Sequence, residues 1–326
     1  MSNYRRATLL PSESCTTAGT KTIDLDVNDP ISQIQIVMKA TSAGTALSAH
    51  PCGNVSKIEV VDGSDVLASM TGYEAVGLDF YNRRVMASSY LTDVSGISAF
   101  QTYTLNFGRW LWDRELALDP KQFRSPQLKI THNYRTADSA ASAATLAVYA
   151  HMFDEKKVSP TGFLRPVEAY AYTCGANGSI ETFDLPRDLP IRQLLVRAAL
   201  ADYYPWQVSH DIKIEENGGA KVPFDMNVSD WLKFINGTYP RCSEPAAIAV
   251  NATARDIYCA PTFTVGVYLL PSTVTNILSR EVATTTIPFQ IDITASDTCI
   301  GEFIGWEPHY TYPLPFGDQD DINDWY

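Results

Sequence analysis

The sequence lacks the closely spaced cysteine pairs from which structural zinc sites are usually built. Six cysteines and five histidines are scattered through 326 residues, and no C-x-x-C pair occurs. Because a tetrahedral zinc site draws its four ligands from short local motifs, we predict neither a metal site nor any other cofactor. The cysteines are Cys15, Cys52, Cys174, Cys242, Cys259 and Cys299.

The chain also has little basic character, since 25 Lys and Arg residues stand against 37 Asp and Glu residues and give a net charge of −12. A protein that wraps nucleic acid needs a basic face to neutralise phosphates, and no Lys/Arg cluster of that size occurs. We therefore predict no direct, sequence-specific binding of nucleic acid. Near the termini, Arg5-Arg6 form a basic pair and four acids form an acidic tail. These acids are Asp318, Asp320, Asp321 and Asp324.

A secretory signal and a long apolar run are missing too. The opening MSNYRRATLLPSESC has no apolar core of the kind that directs secretion. No run reaches the length that spans a bilayer. These features predict synthesis and folding in a reducing cytoplasm, where free thiols are favoured over disulfides.

Recognisable catalytic motifs are absent from the sequence. It contains no Gly-rich phosphate loop, no G-x-S-x-G nucleophile elbow and no H-E-x-x-H. Two pairs of acids, Asp113/Glu115 and Glu215/Glu216, have the residue type that a glycosidase needs. Neighbouring residues of a strand point to opposite faces, however, and Arg114 between the first two acids fits a surface charge cluster. We therefore predict that the chain is not an enzyme.

What the sequence does contain is an internal repeat, which indicates a duplicated domain. The similar segments are 21–40 with 181–200, and 57–70 with 213–226. A helix-compatible run follows each copy of the second segment. In the first copy, Ile34, Ile36 and Met38 fall on one face of a predicted strand. Leu194, Val196 and Ala198 hold the same face in the second copy. A shift of one residue would exchange core for solvent, so this agreement indicates a shared register.

Short β-like runs dominate both copies and predict an all-β fold of two tandem jelly-roll β-barrels with short helices in connecting loops. The first half has predicted strands near 20–27, 31–41, 55–61, 64–70, 101–107, 126–134 and 144–153, with a helix near 72–84. The second half has predicted strands near 179–185, 190–200, 210–216, 219–226, 245–251, 256–270 and 283–293, with a helix near 228–236. A Pro- and Gly-containing linker at 156–168 divides the chain into predicted domains 1–157 and 158–326.

The run FGRWLWDRE at 107–115 is the most unusual local sequence. Its Trp110 and Trp112 could stack on sugar rings, or they could anchor the loop on a neighbouring domain or subunit. Trp and Arg are enriched at interfaces, and the chain is a duplication. We therefore favour an interface formed by Arg109, Trp110 and Trp112.

Several motifs of the first half are similar to those of a known family. They are Val61-Asp62-Gly63-Ser64 in a hairpin, Phe107-Gly108-Arg109 after a strand, and Leu128-Lys129-Ile130-Thr131 on a return strand. With the two-part layout, they resemble the double jelly-roll major capsid proteins, the lineage of adenovirus hexon and of tailless, membrane-containing bacteriophages. In chain length the nearest members are those of flavobacterial lipid-containing phages. The second half has no F-G-R equivalent, which leaves its strand order open.

This resemblance implies a major capsid protein whose homotrimers form pseudo-hexagonal capsomers in the shell of an icosahedral virion. It also implies contacts with neighbouring capsomers, with minor capsid or vertex proteins and with an internal lipid membrane. Arg5 and Arg6 would lie near that membrane, where each could interact with anionic head groups. The alternative is a two-domain jelly-roll protein that binds or cleaves carbohydrate.

Overall fold

The computed structural model describes residues 4–154, 158–176, 178–200, 203–250, 255–270, 276–279, 289–292 and 297–314. The strands of the first half are β1 (Tyr4–Ser14), β2 (Gly19–Asp24), β3 (Ile31–Thr41), β4 (Val55–Asp62), β5 (Asp65–Met70), β6 (Ser89–Thr92), β7 (Ser98–Asn106), β8 (Pro126–His132) and β9 (Ala143–Phe153). Helix α1 (Gly72–Arg83) and the short 3-10 helices Pro51–Asn54 and Pro120–Gln122 lie between them.

The second half contains helices α2 (Pro205–Val208) and α3 (Val228–Thr238). Its strands are β10 (Leu194–Arg197), β11 (Asp211–Glu216), β12 (Lys221–Asn227), β13 (Cys242–Val250), β14 (Arg255–Asp256), β15 (Pro261–Leu270), β16 (Asn276–Ser279), β17 (Phe289–Asp292), β18 (Asp297–Pro308) and β19 (Thr311–Leu314). No helix among the described residues is both long and apolar enough to cross a membrane.

The strands of the first half form two sheets. One sheet has the order β1-β9-β3-β7-β6 and the other the order β2-β8-β4-β5, with all of these neighbours antiparallel. The chain crosses between the sheets after β1, β2, β3, β5, β7 and β8. This is the strand order of a jelly roll, with β6 added beside β7. The predicted jelly roll of the first half is therefore confirmed.

The core of this jelly roll lies between the two sheets. The predicted inward face of β3 is confirmed, because Ile34, Ile36 and Met38 are almost completely buried. The other sheet contributes Ile23, Ile58, Val60, Leu128 and Ile130 to the same core. Since successive side chains of a strand alternate between faces, the register of β3 also fixes which of its side chains point away from this core.

Helix α1 begins at a capping box, in which the Thr71 hydroxyl accepts from the Glu74 N–H and the Glu74 carboxylate accepts from the Thr71 N–H. The helix then packs against β7. Its buried Asp79 accepts a hydrogen bond from Asn106 at 3.0 Å, and Asn106 accepts one from Gln33 at 2.6 Å. Gln33 is thus buried although it lies on the polar face of β3.

The two halves share one continuous sheet. Strand β6 pairs in parallel with β13, with Leu91 opposite Ala246 and Thr92 opposite Ala247. The resulting eight-stranded sheet has the order β1-β9-β3-β7-β6-β13-β18-β15. Asp93 extends the junction, because its carboxylate accepts a hydrogen bond from the Ala249 N–H at 2.6 Å.

Helix α1 forms a second junction between the halves. Phe80 and Tyr81 belong to the hydrophobic cluster of the second half, and the Tyr81 hydroxyl donates to the Thr311 carbonyl at 2.8 Å. Gly77 faces the Thr311 side chain so closely that a Cβ at position 77 would lie 2.8 Å from its hydroxyl oxygen. The approach of the two halves therefore requires glycine at this position.

The second half repeats one unit of the first. Hairpin β11–β12 leads directly into α3, which is capped by the Asn227 side chain, just as β4–β5 leads into α1. The other sheets of the second half are β13-β18-β15, which belongs to the shared sheet, β14-β17-β16 and β10-β19. The all-β class with short helices is confirmed. The described strands of the second half do not complete the jelly-roll order of the first, so the second barrel stays a prediction.

The predicted linker at 156–168 runs along the first jelly roll. The Gly162 carbonyl accepts a hydrogen bond from the Ala117 N–H, and the Leu164 N–H donates to the Phe107 carbonyl, both at 2.8 Å. Part of the segment assigned to the second domain therefore contacts the first. The boundary between 157 and 158 stays a prediction, and the predicted acidic tail lies outside the described residues.

Candidate functional site

The loop at 107–116 carries the three residues predicted to form an interface. The Arg109 guanidinium contacts two carboxylates, with Nε 2.8 Å from Asp113 and a terminal nitrogen 2.7 Å from Glu115. Asp113 is buried and also accepts from the backbone N–H groups of Arg109 and Glu115 at 3.2 and 3.0 Å. This network fixes the loop, and it engages both acids of one candidate glycosidase pair.

The surroundings of Arg109 and Asp113 favour the charged forms of both side chains. Burial by itself would raise the pKa of Asp113, but hydrogen bonds from the side chain and backbone of Arg109 outweigh it and the pKa is lowered. Hydrogen bonding to Asp113 raises the pKa of Arg109 in turn. A glycosidase acid needs a raised pKa to protonate its leaving group. The environment of Asp113 has the opposite effect.

Trp110 and Trp112 have different surroundings. Trp110 is 57% exposed, and the guanidinium carbon of Arg109 lies 4.5 Å from its ring centroid. Trp112 packs within the first half, with its ring centroid 4.5 Å from that of Tyr4 and 5.6 Å from that of Phe153. Trp110 is thus the one of the two that offers a large aromatic surface to a partner. The interface itself stays a prediction.

Arg5 and Arg6 lie on β1, the edge strand of the large sheet, and both are exposed. Arg5 forms an ion pair with Asp29. Arg6 lies opposite His151 in the register between β1 and β9. Both residues are therefore held by an ordered strand, and their predicted proximity to a membrane stays a prediction.

A second cluster lies where the two halves meet. His50, Cys52 and His309 are buried, and their potential metal-binding atoms all lie within 4.8 Å of one another. His50 and Cys52 belong to the first half, where Cys52 is part of the 3-10 helix Pro51–Asn54. His309 comes from the turn between β18 and β19. The Cys52 thiol is not used in a disulfide.

The hydrogen bonds of His50 fix its tautomer. Its Nδ1 accepts from the Cys52 N–H at 2.9 Å, so the proton of the neutral ring is on Nε2. That nitrogen lies 2.7 Å from Oε1 of Glu244, a completely buried carboxylate of the second half. The other oxygen of Glu244 accepts from the Ala260 N–H at 2.7 Å. His50 therefore reaches across the junction with a defined orientation.

The other two members of the cluster are uncharged in this environment. Burial raises the pKa of the Cys52 thiol well above its ordinary value, although the nearby Arg197 guanidinium acts in the opposite direction. Burial lowers the pKa of His309 well below its ordinary value, and the adjacent His50 and Arg197 lower it further. The Nε2 atom of His309 is buried and has no hydrogen-bond partner.

The sequence contains little that could have revealed this cluster. His50-Pro51-Cys52 is an H-x-C pair, a weak signal by itself, and His309 is far away along the chain. Local spacing predicted no metal site, because only the pairing of the halves brings the third side chain to the other two.

The sequence matches no protein-family model and no curated protein. Among solved structures, the crystal structure of the STIV MCP is similar at 12% identity over 95% of this chain and 94% of that chain, with a TM-score of 0.46. The major capsid protein P2 from bacteriophage PM2 is similar at 12% identity over 45% and 49%, with a TM-score of 0.32.

PBCV-1 VP54, as fitted into a reconstruction of the virophage Sputnik, is similar at 14% identity over 48% of this chain, with a TM-score of 0.36. The chain spans 44% of the length of that structure.

Proposed function

We propose that this chain is a major capsid protein that builds the shell of an icosahedral virion and has no enzymatic role. The observation that carries the proposal is the fixed pairing of a jelly roll with a second β-rich half that repeats its hairpin–helix unit. Jelly rolls recur in viral capsid domains. Three copies of a chain with two similar halves present six similar corners in one closed ring.

The junction between the halves supports a role in a repeating shell. The two halves are connected by backbone pairing of β6 with β13, by the His50–Glu244 hydrogen bond and by the Tyr81–Thr311 hydrogen bond. Halves joined only by a small polar surface would move relative to each other. A fixed angle between the halves lets every homotrimer make the same contacts with neighbouring capsomers.

The surface chemistry supports the partners that we propose. A net charge of −12 is unfavourable for contact with a genome, whereas exposed Trp110 beside Arg109 has the residue types of an interface hot spot. We infer that this pair contacts a neighbouring subunit. Minor capsid or vertex proteins are further partners. Arg5 and Arg6 would face an internal membrane, each contributing on the order of 1 kcal/mol with anionic lipid.

The oligomeric state tests the proposal directly. Light scattering of the purified full chain should give three times the monomer mass, and electron microscopy should show particles with pseudo-hexagonal outlines. A chain that remains monomeric from micromolar concentration upwards would contradict the proposal.

Substitution of Trp110 tests the proposed contact. Trp110→Ala should lower the fraction of assembled protein in sedimentation without lowering the melting temperature, because the side chain is 57% exposed. Trp110→Phe keeps an aromatic surface and should retain most of the assembly. Equal assembly of Trp110→Ala and the unchanged protein would remove this residue from the interface.

The alternative function is carbohydrate binding. Jelly rolls also occur in lectins, and the exposed face of Trp110 is the observation that favours this alternative. A glycan array distinguishes the two functions. Clear binding that disappears in Trp110→Ala, without any defect in assembly, would favour the carbohydrate-binding protein.

A further inference from the structure

The buried cluster at the junction has the composition of a metal site that neither half contains alone. We propose that His50, Cys52 and His309 bind a zinc ion that ties the second half of the chain to the first. Two imidazoles and a thiolate are donors that zinc prefers. The inference does not depend on the capsid role, because it concerns only the junction within one chain.

The distances suit an empty site that closes on an ion. Tetrahedral zinc has bonds of about 2.3 Å to sulfur and about 2.0–2.1 Å to nitrogen, which place one sulfur and two nitrogen donors about 3.3–3.6 Å apart. The three donor atoms lie within 4.8 Å of one another. Side-chain shifts of about 1 Å would therefore bring all three donors within bonding distance of one ion. A water molecule would take the fourth position.

His50 already has the second partner that a metal-binding histidine needs. Histidine ligands usually donate their other ring N–H to a carboxylate or carbonyl, which fixes the tautomer and the ring orientation. Nε2 of His50 makes this contact with Glu244, so the lone pair of Nδ1 is the one available to an ion. Coordination would replace the hydrogen bond that Nδ1 now accepts from the Cys52 N–H.

His309 has a buried ring nitrogen without a hydrogen-bond partner, which a metal ion would satisfy. It is 3% exposed, and its Nε2 makes no hydrogen bond, although a buried polar atom without a partner is costly. The backbone around it is held on both sides, since its N–H donates to the Ala260 carbonyl at 2.9 Å and its carbonyl accepts from Arg197 at 3.2 Å. His309 also has a positive φ of 51°, which is uncommon for a residue with a side chain.

Two negative charges would lie close to a bound ion. Binding of Zn²⁺ would release the thiol proton of Cys52 to solvent and leave a thiolate on the metal. The thiolate and the Glu244 carboxylate together offset the two positive charges of the ion.

The test uses the full chain, freed of metal with a chelator and then reconstituted. Elemental analysis should find one zinc per chain, and one equivalent of Zn²⁺ should raise the melting temperature by about 5 °C. Co²⁺ in place of zinc should give the charge-transfer absorption of a cobalt–thiolate bond. All three signals should be lost in Cys52→Ser and in His309→Ala. Cys242→Ser, which changes another fully buried cysteine, should retain them.

Clear results would overturn the proposal. They are a reconstituted protein without zinc, a cobalt spectrum without the thiolate band, or a zinc content that Cys52→Ser leaves unchanged. If a substitution prevents folding, X-ray absorption on the unchanged zinc protein decides the matter. One sulfur and two imidazole nitrogens around zinc would support the site, and any other set of protein ligands would reject it.

Discussion

In the first half, hairpin β4–β5 lies inside a four-stranded sheet, whereas in the second half hairpin β11–β12 is a two-stranded sheet of its own. Both hairpins turn at glycines with positive φ, and both lead into a helix with a side-chain cap. Local residues therefore specify the same unit twice. What differs is the neighbouring strand, because β4 pairs with β8 and becomes buried.

The burial of the two hairpins follows from this difference. Ile58 on β4 is completely buried, whereas Ile214, its counterpart in the repeat, is partly exposed. A two-stranded hairpin is marginally stable without further cover. The second hairpin is supported by the packing of Phe224 against Trp231 of α3, with a ring-centroid distance of 5.1 Å. Turn and cap residues thus define a unit, and its partners determine how far it is buried.

The largest expected difference in stability is between alanine substitutions of Ile58 and Ile214. Ile58→Ala should lower the free energy of unfolding by about 2–5 kcal/mol, because it leaves a cavity between two sheets. Ile214→Ala should cost about 1 kcal/mol or less, since that side chain is partly in solvent. Urea unfolding followed by circular dichroism measures both. Equal losses would mean that β11–β12 is covered as fully as β4–β5.

A second comparison concerns one glycine in α1 and one in α3, at which substitution by alanine should change the stability in opposite directions. Gly77→Ala should lower the stability by about 1–3 kcal/mol, because the added methyl meets the Thr311 side chain. Gly237 of α3 has open space around a Cβ, so Gly237→Ala should raise the stability by about 0.5–1 kcal/mol. Melting temperatures of the two variants test the signs. A stabilising Gly77→Ala would contradict the close approach of the halves.

The smallest expected difference between the two halves concerns their helix caps. Thr71→Ala and Asn227→Ala each remove a helix cap and should each cost about 1 kcal/mol, because capping is a local interaction. Hydrogen exchange of the first-turn amides in α1 and α3 measures the fraying. Thr71→Ser and Asn227→Asp keep an acceptor oxygen and serve as controls. A loss confined to one helix would show that burial, and not the cap, stabilises the other.

Most of the first half could be predicted from the sequence, because its signals are local and its partners lie in the same half. Alternation predicted β3, and Asp62-Gly63 predicted the turn between β4 and β5. Strand β1 was missed, since it contains Pro11 and buries only Leu10 among its eleven residues. It is a strand because β9 offers it an edge.

The second half shows where the internal repeat was insufficient to predict a strand. The segment 179–185 was predicted as a strand by its similarity to β2, and this prediction is wrong: the structure has no strand there, and Ile180 is 91% exposed. In the first half, β2 is completed by pairing with β8. Within the described residues, 179–185 has no such neighbour. Propensity alone does not make a strand.

The two candidate sites also differed in whether the sequence could predict them. The loop around Arg109 and Trp110 was found because its unusual residues are adjacent in the sequence. The cluster of His50, Cys52 and His309 was not found, since its third member arrives only when β18 and β19 pack beside the first half. Sites at the junction of a duplicated chain depend on tertiary contacts that spacing does not encode.

The shared sheet has a consequence for truncated chains. Strand β6 is bordered by β7 on one side and β13 on the other, so cutting the chain between its halves would leave an unpaired strand edge on each fragment. Unpaired edges are templates for association with other chains. Leu91, which packs in a cluster of the second half, would become exposed at the same place. Either fragment made alone should aggregate, whereas the two produced together should recombine through this edge.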